Sequence, residues 1–125
     1  PIKDEMFYAE KNNGAFINNK RIRVSKKKNI NYCLFGTGGS EIKTAQLTTR
    51  NSGSAALDMA YVAAGRYDGY FQNNLNLWDI AAGIIIVNEA GGVINKINLS
   101  KNDKIKIKAS SISINEKMLE KLKNF

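Results

Sequence analysis

The segment WDIAAGIIIVNEA, residues 78–90, constrains the fold of this chain more than any other stretch. It reads as a helix that is apolar on nearly every side, interrupted only by Asp79, Asn88 and Glu89. Such a helix is expected to lie buried between layers rather than along a surface. Gly91-Gly92 ends it, because glycine takes the left-handed turn that closes a helix. The run is also too short to span a bilayer, which needs roughly 20 apolar residues.

A second helix is predicted in SGSAALDMAYVAAG, residues 52–65, with serines to cap its start and Gly65 to stop it. YDGYFQ (67–72) between the two helices reads as a strand. The first thirty residues read as antiparallel β: MFYAE (6–10), AFIN (15–18) and RIRVS (21–25), with turns at NNG (12–14) and Asn19-Lys20. YCLFGTGG is a buried strand running into a glycine cluster, and SEIKTAQLTT (40–49) a loop leading to a strand that ends near Thr49. VINKI and KIKIKA are strands, and INEKMLEKLKNF an amphipathic terminal helix. Strands and helices alternate, so the expected class is α/β, a mixed sheet covered by helices on both faces. Residues 1–30 are an odd opening for a complete domain and read as the hairpin of a sheet begun elsewhere. Residues 31–125 form the C-terminal α/β part.

Composition narrows the chemistry. At 125 residues, 43% of them hydrophobic, the chain is the size of one globular domain. Its single cysteine, Cys33 in the apolar string YCLF, excludes an intrachain disulfide and a cysteine zinc site. Histidine is absent, which excludes Ser-His-Asp and Cys-His catalysis and histidine metal sites within the chain. Carboxylates, hydroxyls, backbone groups and a bound ion remain. The net charge of +8 comes mostly from lysine, as in KKK (26–28) and KNDKIKIK (101–108). That balance attracts polyanions, but the lysines are dispersed and lack interleaved aromatics, which favours a solvated surface over a nucleic-acid patch. The opening PIKDEMFYAE carries no secretory signal.

Two helix starts carry candidate chemistry. In RNSGSAAL (50–57), Gly53 lets a ligand come close, and the free N–H groups of Ser54, Ala55 and Ala56 form the positive end of the helix, a natural seat for phosphate. In LWDIAAG, Asp79 is either a first-turn acid complementing the helix dipole or a carboxylate for a cation. If the two starts converge, one offers amides to a phosphate and the other a carboxylate to a metal, as metal-assisted phosphate hydrolysis requires.

WDIAAGIIIVNEAGG resembles the C-terminal signature of the inositol monophosphatase family, a W-D pair followed by small residues, an apolar run and E-A-G-G. SGSAALDMAYVAAGRYDGYF resembles the segment that precedes it in that family, and DEMFYAEKNNGAFINNKRIRVS its central hairpin. The likeness covers nearly the whole chain and is strongest to the bacterial extragenic-suppressor, or SuhB-like, branch. It implies a layered αβαβα fold and a Mg²⁺-dependent cytoplasmic phosphomonoesterase acting on inositol monophosphate or a related sugar or polyol phosphate through a metal-activated water. By the same likeness Asp79 is the metal-binding aspartate, and Gly53, Ser54 and Ala55 lie against substrate. Gln72 stands where many members have a glutamate that contacts inositol hydroxyls. The family's other metal-binding carboxylates and its activating threonine lie upstream of the hairpin, so the resemblance leaves no catalytic residue in this part and implies an inactive half-site. It also implies about two dozen residues fewer between Gly36 and Arg50. Members are often homodimers, and SuhB-like proteins are associated with RNA polymerase and ribosomal RNA synthesis, which gives a transcription-associated binding protein as the alternative. Glu89, about three turns from Asp79 and roughly 15 Å away, is too distant to share an ion and is expected to be structural. Asp58 and Asp68 are expected to serve local turn or helix roles.

Overall fold

A computed structural model describes residues 5–38, 47–97 and 104–123. The expectations for residues 40–46 and for the last two residues of the terminal helix lie outside them. Among the described residues no helix is long and apolar enough to cross a membrane.

The elements run β1 (Phe7–Glu10), β2 (Gly14–Ile17), β3 (Lys20–Ile22), β4 (Leu34–Thr37), β5 (Thr48–Arg50), α1 (Ala55–Ala63), β6 (Gly69–Leu75), α2 (Leu77–Glu89), β7 (Val93–Ile94), β8 (Ile105–Ser110) and α3 (Asn115–Lys121). Short 3₁₀ turns precede β4 and α3. Strands β1-β2-β3 form an antiparallel sheet. The second sheet is mixed, in the order β5-β4-β6-β8-β7, with β4 parallel to both β5 and β6 and β8 antiparallel to its neighbours.

Helices α1 and α2 lie between the two sheets. One core joins Phe7, Ala9 and Ile22 of the first sheet, Met59, Val62, Ile80 and Val87 of the helices, and Tyr70, Ile107 and Ala109 of the second sheet. On the far side of the mixed sheet, Phe35 and Phe71 pack under Ile114, Met118 and Leu122 around α3. The layers therefore run β, α, β, α, four of the five in an αβαβα arrangement.

Both long helices end as their glycines predict. Gly65 (φ +78°) and Gly91 (φ +89°) take the left-handed conformation. Arg66 N–H then donates to Tyr61 O, and Gly92 N–H to Val87 O, closing the same two-bond cap on each helix. The helices approach closely at Gly83, where a methyl group would come within 2.9 Å of Met59 Cβ.

Glu89 holds the first sheet to α2. Its two carboxylate oxygens accept the backbone N–H groups of Asn12 (2.8 Å) and Gly14 (2.9 Å) in the β1–β2 turn. Val24 N–H donates to Ala90 O at 3.1 Å, anchoring the chain beyond β3 to the same helix end.

Two expectations need correction. The helix expected to be buried on all sides is buried only at Ile80, Gly83, Ile86 and Val87. Leu77, Trp78 and Ile85 are exposed, Trp78 by 93%, because no described element covers the side of α2 turned away from α1 and the sheets. The strand expected over VINKI shrinks to Val93–Ile94, and Asn95 instead uses its side chain to bind the backbone of β8 at Lys106 and Lys108. Asp58, in the first turn of α1, and Asp68, just before β6, are both buried, each 1% exposed. Asp68 accepts Leu34 N–H (2.8 Å) and faces Lys27 (3.5 Å), and its backbone bonds both Leu34 and Ser111, tying β4, β6 and β8 together.

Two measurements follow. Backbone hydrogen bonds from Asn12 and Gly14 hold the Glu89 carboxyl below its ordinary range. Its contribution to stability is therefore present above the unfolded-state pKa and is lost as pH falls through the lower folded-state value. The thermal midpoint of Glu89→Gln is expected to lie below that of the wild type at neutral pH, and the difference to close on acidification. Gly83→Ala is expected to cost about 1–3 kcal/mol in urea unfolding, because the added methyl overpacks the α1–α2 contact.

Candidate functional site

An open cleft of about 610 Å³ lies at the carboxyl ends of the parallel strands. From β4 the chain passes to β5 on one side, then through α1 to β6 on the other. The strand order reverses at β4, and open α/β sheets bind ligands outside such a reversal. Gly38 follows β4, Asn51 and Gly53 follow β5, and Gln72 lies on β6. A bulge between Gln72 and Leu75, with Asn74 at φ +60°, bends the chain from β6 into the start of α2 and places Asp79 on the same cleft.

All five residues singled out from the sequence line this one cleft: Gly53, Ser54, Ala55, Gln72 and Asp79. The α1 side is built by its turn. Asn51 Oδ1 accepts Gly53 N–H at 2.8 Å, and Ser52 Oγ accepts Ser54 N–H at 3.2 Å. Ser54 caps the helix through its Oγ, which accepts Leu57 N–H at 3.2 Å. The expectation of three free amides is thus corrected to two. Ser54 N–H is engaged, whereas Ala55 and Ala56 have no hydrogen-bond partner among the described residues. Gly53 holds φ +85° with nothing within 4 Å of where a side chain would stand, so open space lies above the turn.

Asp79 occupies the first turn of α2. The helix has no side-chain cap, because the Asn76 side chain instead accepts from Lys104 Nζ at 2.8 Å. The Asp79 carboxylate is exposed to the cleft and makes no hydrogen bond or ion pair among the described residues. On the opposite wall the Tyr70 hydroxyl donates to Gln72 Oε1, and the Gln72 amide occupies the space where a side chain on Gly38 would stand.

The described residues contain no group of three or more acids, cysteines or histidines able to hold a metal ion. Mg²⁺ takes several oxygen ligands in near-octahedral geometry. Asp79 supplies one, so these residues do not by themselves make a Mg²⁺ site. The cleft pairs a positive helix end with one unpaired carboxylate, an arrangement suited to a phosphate whose charge a cation shares.

The sequence reading missed Asn51, which shapes the Gly53 turn; an Asn two residues before a glycine is a recognisable turn signal. It also missed Gly38, where a side chain would strike Gln72.

The chain belongs to the inositol monophosphatase family, whose model matches residues 1–124. It is 34% identical to an inositol-1-monophosphatase of Caulobacter vibrioides, covering 98% of this chain and 56% of that protein. It is 41% identical to a Nus factor SuhB of Xylella fastidiosa (75% of this chain, 40% of that protein). With a fructose-1,6-bisphosphatase/inositol-1-monophosphatase of Thermotoga maritima the identity is 46%, over 75% of this chain and 40% of that one. The crystal structure of the extragenic suppressor protein suhB from Bartonella henselae superposes with a TM-score of 0.85 at 39% identity, covering 96% of this chain and 54% of that one. The chain spans about half the length of the relatives it matches. The Caulobacter alignment runs over 142 positions against a chain of 125 residues, so that relative carries positions with no counterpart here. The crossover between parallel β4 and β5 occupies only residues 38–47, shorter than the usual dozen or more.

Gly53→Ala is expected to lose about 1 kcal/mol in denaturant unfolding, from the left-handed backbone alone, since the methyl meets no neighbour.

Proposed function

We propose that this chain forms the C-terminal part of a Mg²⁺-dependent phosphomonoesterase that hydrolyses inositol monophosphate or a related sugar or polyol phosphate. One observation carries the reading: Ala55 and Ala56, whose N–H groups have no partner among the described residues, and Asp79, whose carboxylate likewise has none among them, line the same cleft. The α1 amides and the helix dipole bind and orient the phosphate without placing a side-chain cation beside it. Gly53 keeps the approach open. Gln72 on the facing wall contacts the alcohol part of the ester, and Asp79 is one ligand of an ion whose further ligands come from outside the described residues. The ion, when bound, supplies Lewis-acid polarisation of the phosphoryl group and activation of water. The naming of relatives as inositol-1-monophosphatases supports the same substrate class.

The test is phosphate release from inositol 1-phosphate by the protein as isolated from its source. Asp79→Asn is expected to lower Mg²⁺-dependent turnover by roughly 100-fold or more while leaving the fold intact. The isolated 125-residue chain is expected to release none. Full turnover by Asp79→Asn would sink the reading. If binding to RNA polymerase or ribosomal RNA then depended on the lysines and not on Asp79, the role carried by the name of the Nus factor relatives would take its place.

A further inference from the structure

We propose that Tyr70, which does not reach the cleft, decides how Gln72 meets a ligand there: by holding the amide oxygen, it leaves Nε2 as the group presented, so the cleft accepts a hydrogen-bond acceptor at this point. The inference rests on the phosphate-ester reading of the cleft and narrows it, moving the favoured ester away from inositol monophosphate toward one with a second acceptor group.

Tyr70 and Gln72 stand two residues apart on β6 and so share one face of the strand. The Tyr70 ring is fully buried in the core between the helices and the mixed sheet. Burial, and after it the negative charge of Asp58, pushes the phenol pKa up, so the hydroxyl keeps its proton. A buried phenol must place that proton on an acceptor, and the acceptor is Gln72 Oε1. With the amide turned round, Nε2 could only donate to the hydroxyl oxygen, and the buried phenolic proton would lose its acceptor. The amide fills the space left by the missing side chain of Gly38: a Cβ there would come within 2.3 Å of Oε1 and 2.7 Å of Nε2. Gln72 is thus clasped between a tyrosine below and a glycine beside it, with its N–H groups left for the cleft.

The consequence is a polarity for the ligand. With phosphate on the α1 amides, the rest of the molecule meets an uncharged donor. A carboxylate or a second phosphoryl group satisfies that donor fully. A hydroxyl satisfies it only through its lone pairs and must find another partner for its own proton. The cleft is therefore matched to phosphate esters that carry a second acceptor group, such as a phosphorylated acid or a sugar bisphosphate, over simple polyol phosphates.

Within these 125 residues glutamine occurs only at Gln46 and Gln72, and in ¹⁵N spectra of glutamine side chains the NH₂ pair that disappears in Gln72→Leu is that of Gln72. Tyr70→Phe keeps the ring and removes the hydroxyl. It is expected to draw the two Gln72 protons together in shift and speed their exchange with water, with the backbone spectrum elsewhere unchanged. The same spectra follow titrations with 3-phosphoglycerate, whose carboxylate only accepts, and glycerol 3-phosphate, which carries a hydroxyl in its place. The wild type is expected to bind the former roughly threefold or more tightly than the latter. Tyr70→Phe, which alters no charge, brings the two toward parity. Gln72→Glu, an independent variant should Tyr70→Phe not fold, reverses the preference. An unchanged Gln72 pair in Tyr70→Phe, or a preference untouched by either variant, overturns the proposal. If neither ester binds, the phosphate reading of the cleft fails, and the Gln72 signals still decide whether the amide is held.

Discussion

The approach of α1 to α2 at Gly83 sets the rest of the molecule. The absence of a side chain there lets Met59 settle against the backbone of α2, so the two helices can share the space between two sheets. The cleft depends on that spacing. One of its walls is the start of α1 and another the start of α2, the two helices that meet at Gly83. A rigid helix pair can hold two helix ends in register far better than loops can, which suits the placing of candidate site residues at helix starts.

Among the described residues, charge in the interior is confined to two acids with distinct work. Asp68, at the entry to β6, takes a backbone N–H from β4 and offers its own backbone to β4 and β8, so it acts as a pin through three strands. Asp58 lies beneath the α1 turn, where burial pushes its pKa up and a hydrogen bond from Ser52 pulls it back. It touches the cleft only through that turn. Cys33 is kept inert in the same region: burial, then the nearby Asp68, pushes its thiol up to about 11.

Much of this was legible in the residues. The helix ends could be read because glycine and serine do local work there, independent of what packs above them. Four of the five cleft residues could be read because they stand at two helix starts and because the W-D pair and the SGSAAL turn resembled a known family, whereas Gln72, on β6, was legible only from the resemblance of YDGYFQ. The polarity of the Gln72 amide could not be read, since it depends on a hydroxyl two residues away whose burial only the fold decides. The engagement of Ser54 N–H was hidden for a similar reason, because serine can serve as donor, acceptor or cap. The bare side of α2 was misjudged because an all-round apolar pattern records what a helix needs, not which neighbours are present. The bulge after Gln72 left only a weak trace in a run of asparagines, although it turns Asp79 onto the cleft.

Trp78 is the only tryptophan of the chain, it stands almost wholly in water, and it lines the same cleft as Asp79. The indole therefore serves as an intrinsic optical reporter for that end of α2. Its emission is that of a ring in water, and anything that settles over the cleft rim shifts the light toward the blue. The residue that most exposes the apolar side of α2 is thus also the one that signals when that side is covered.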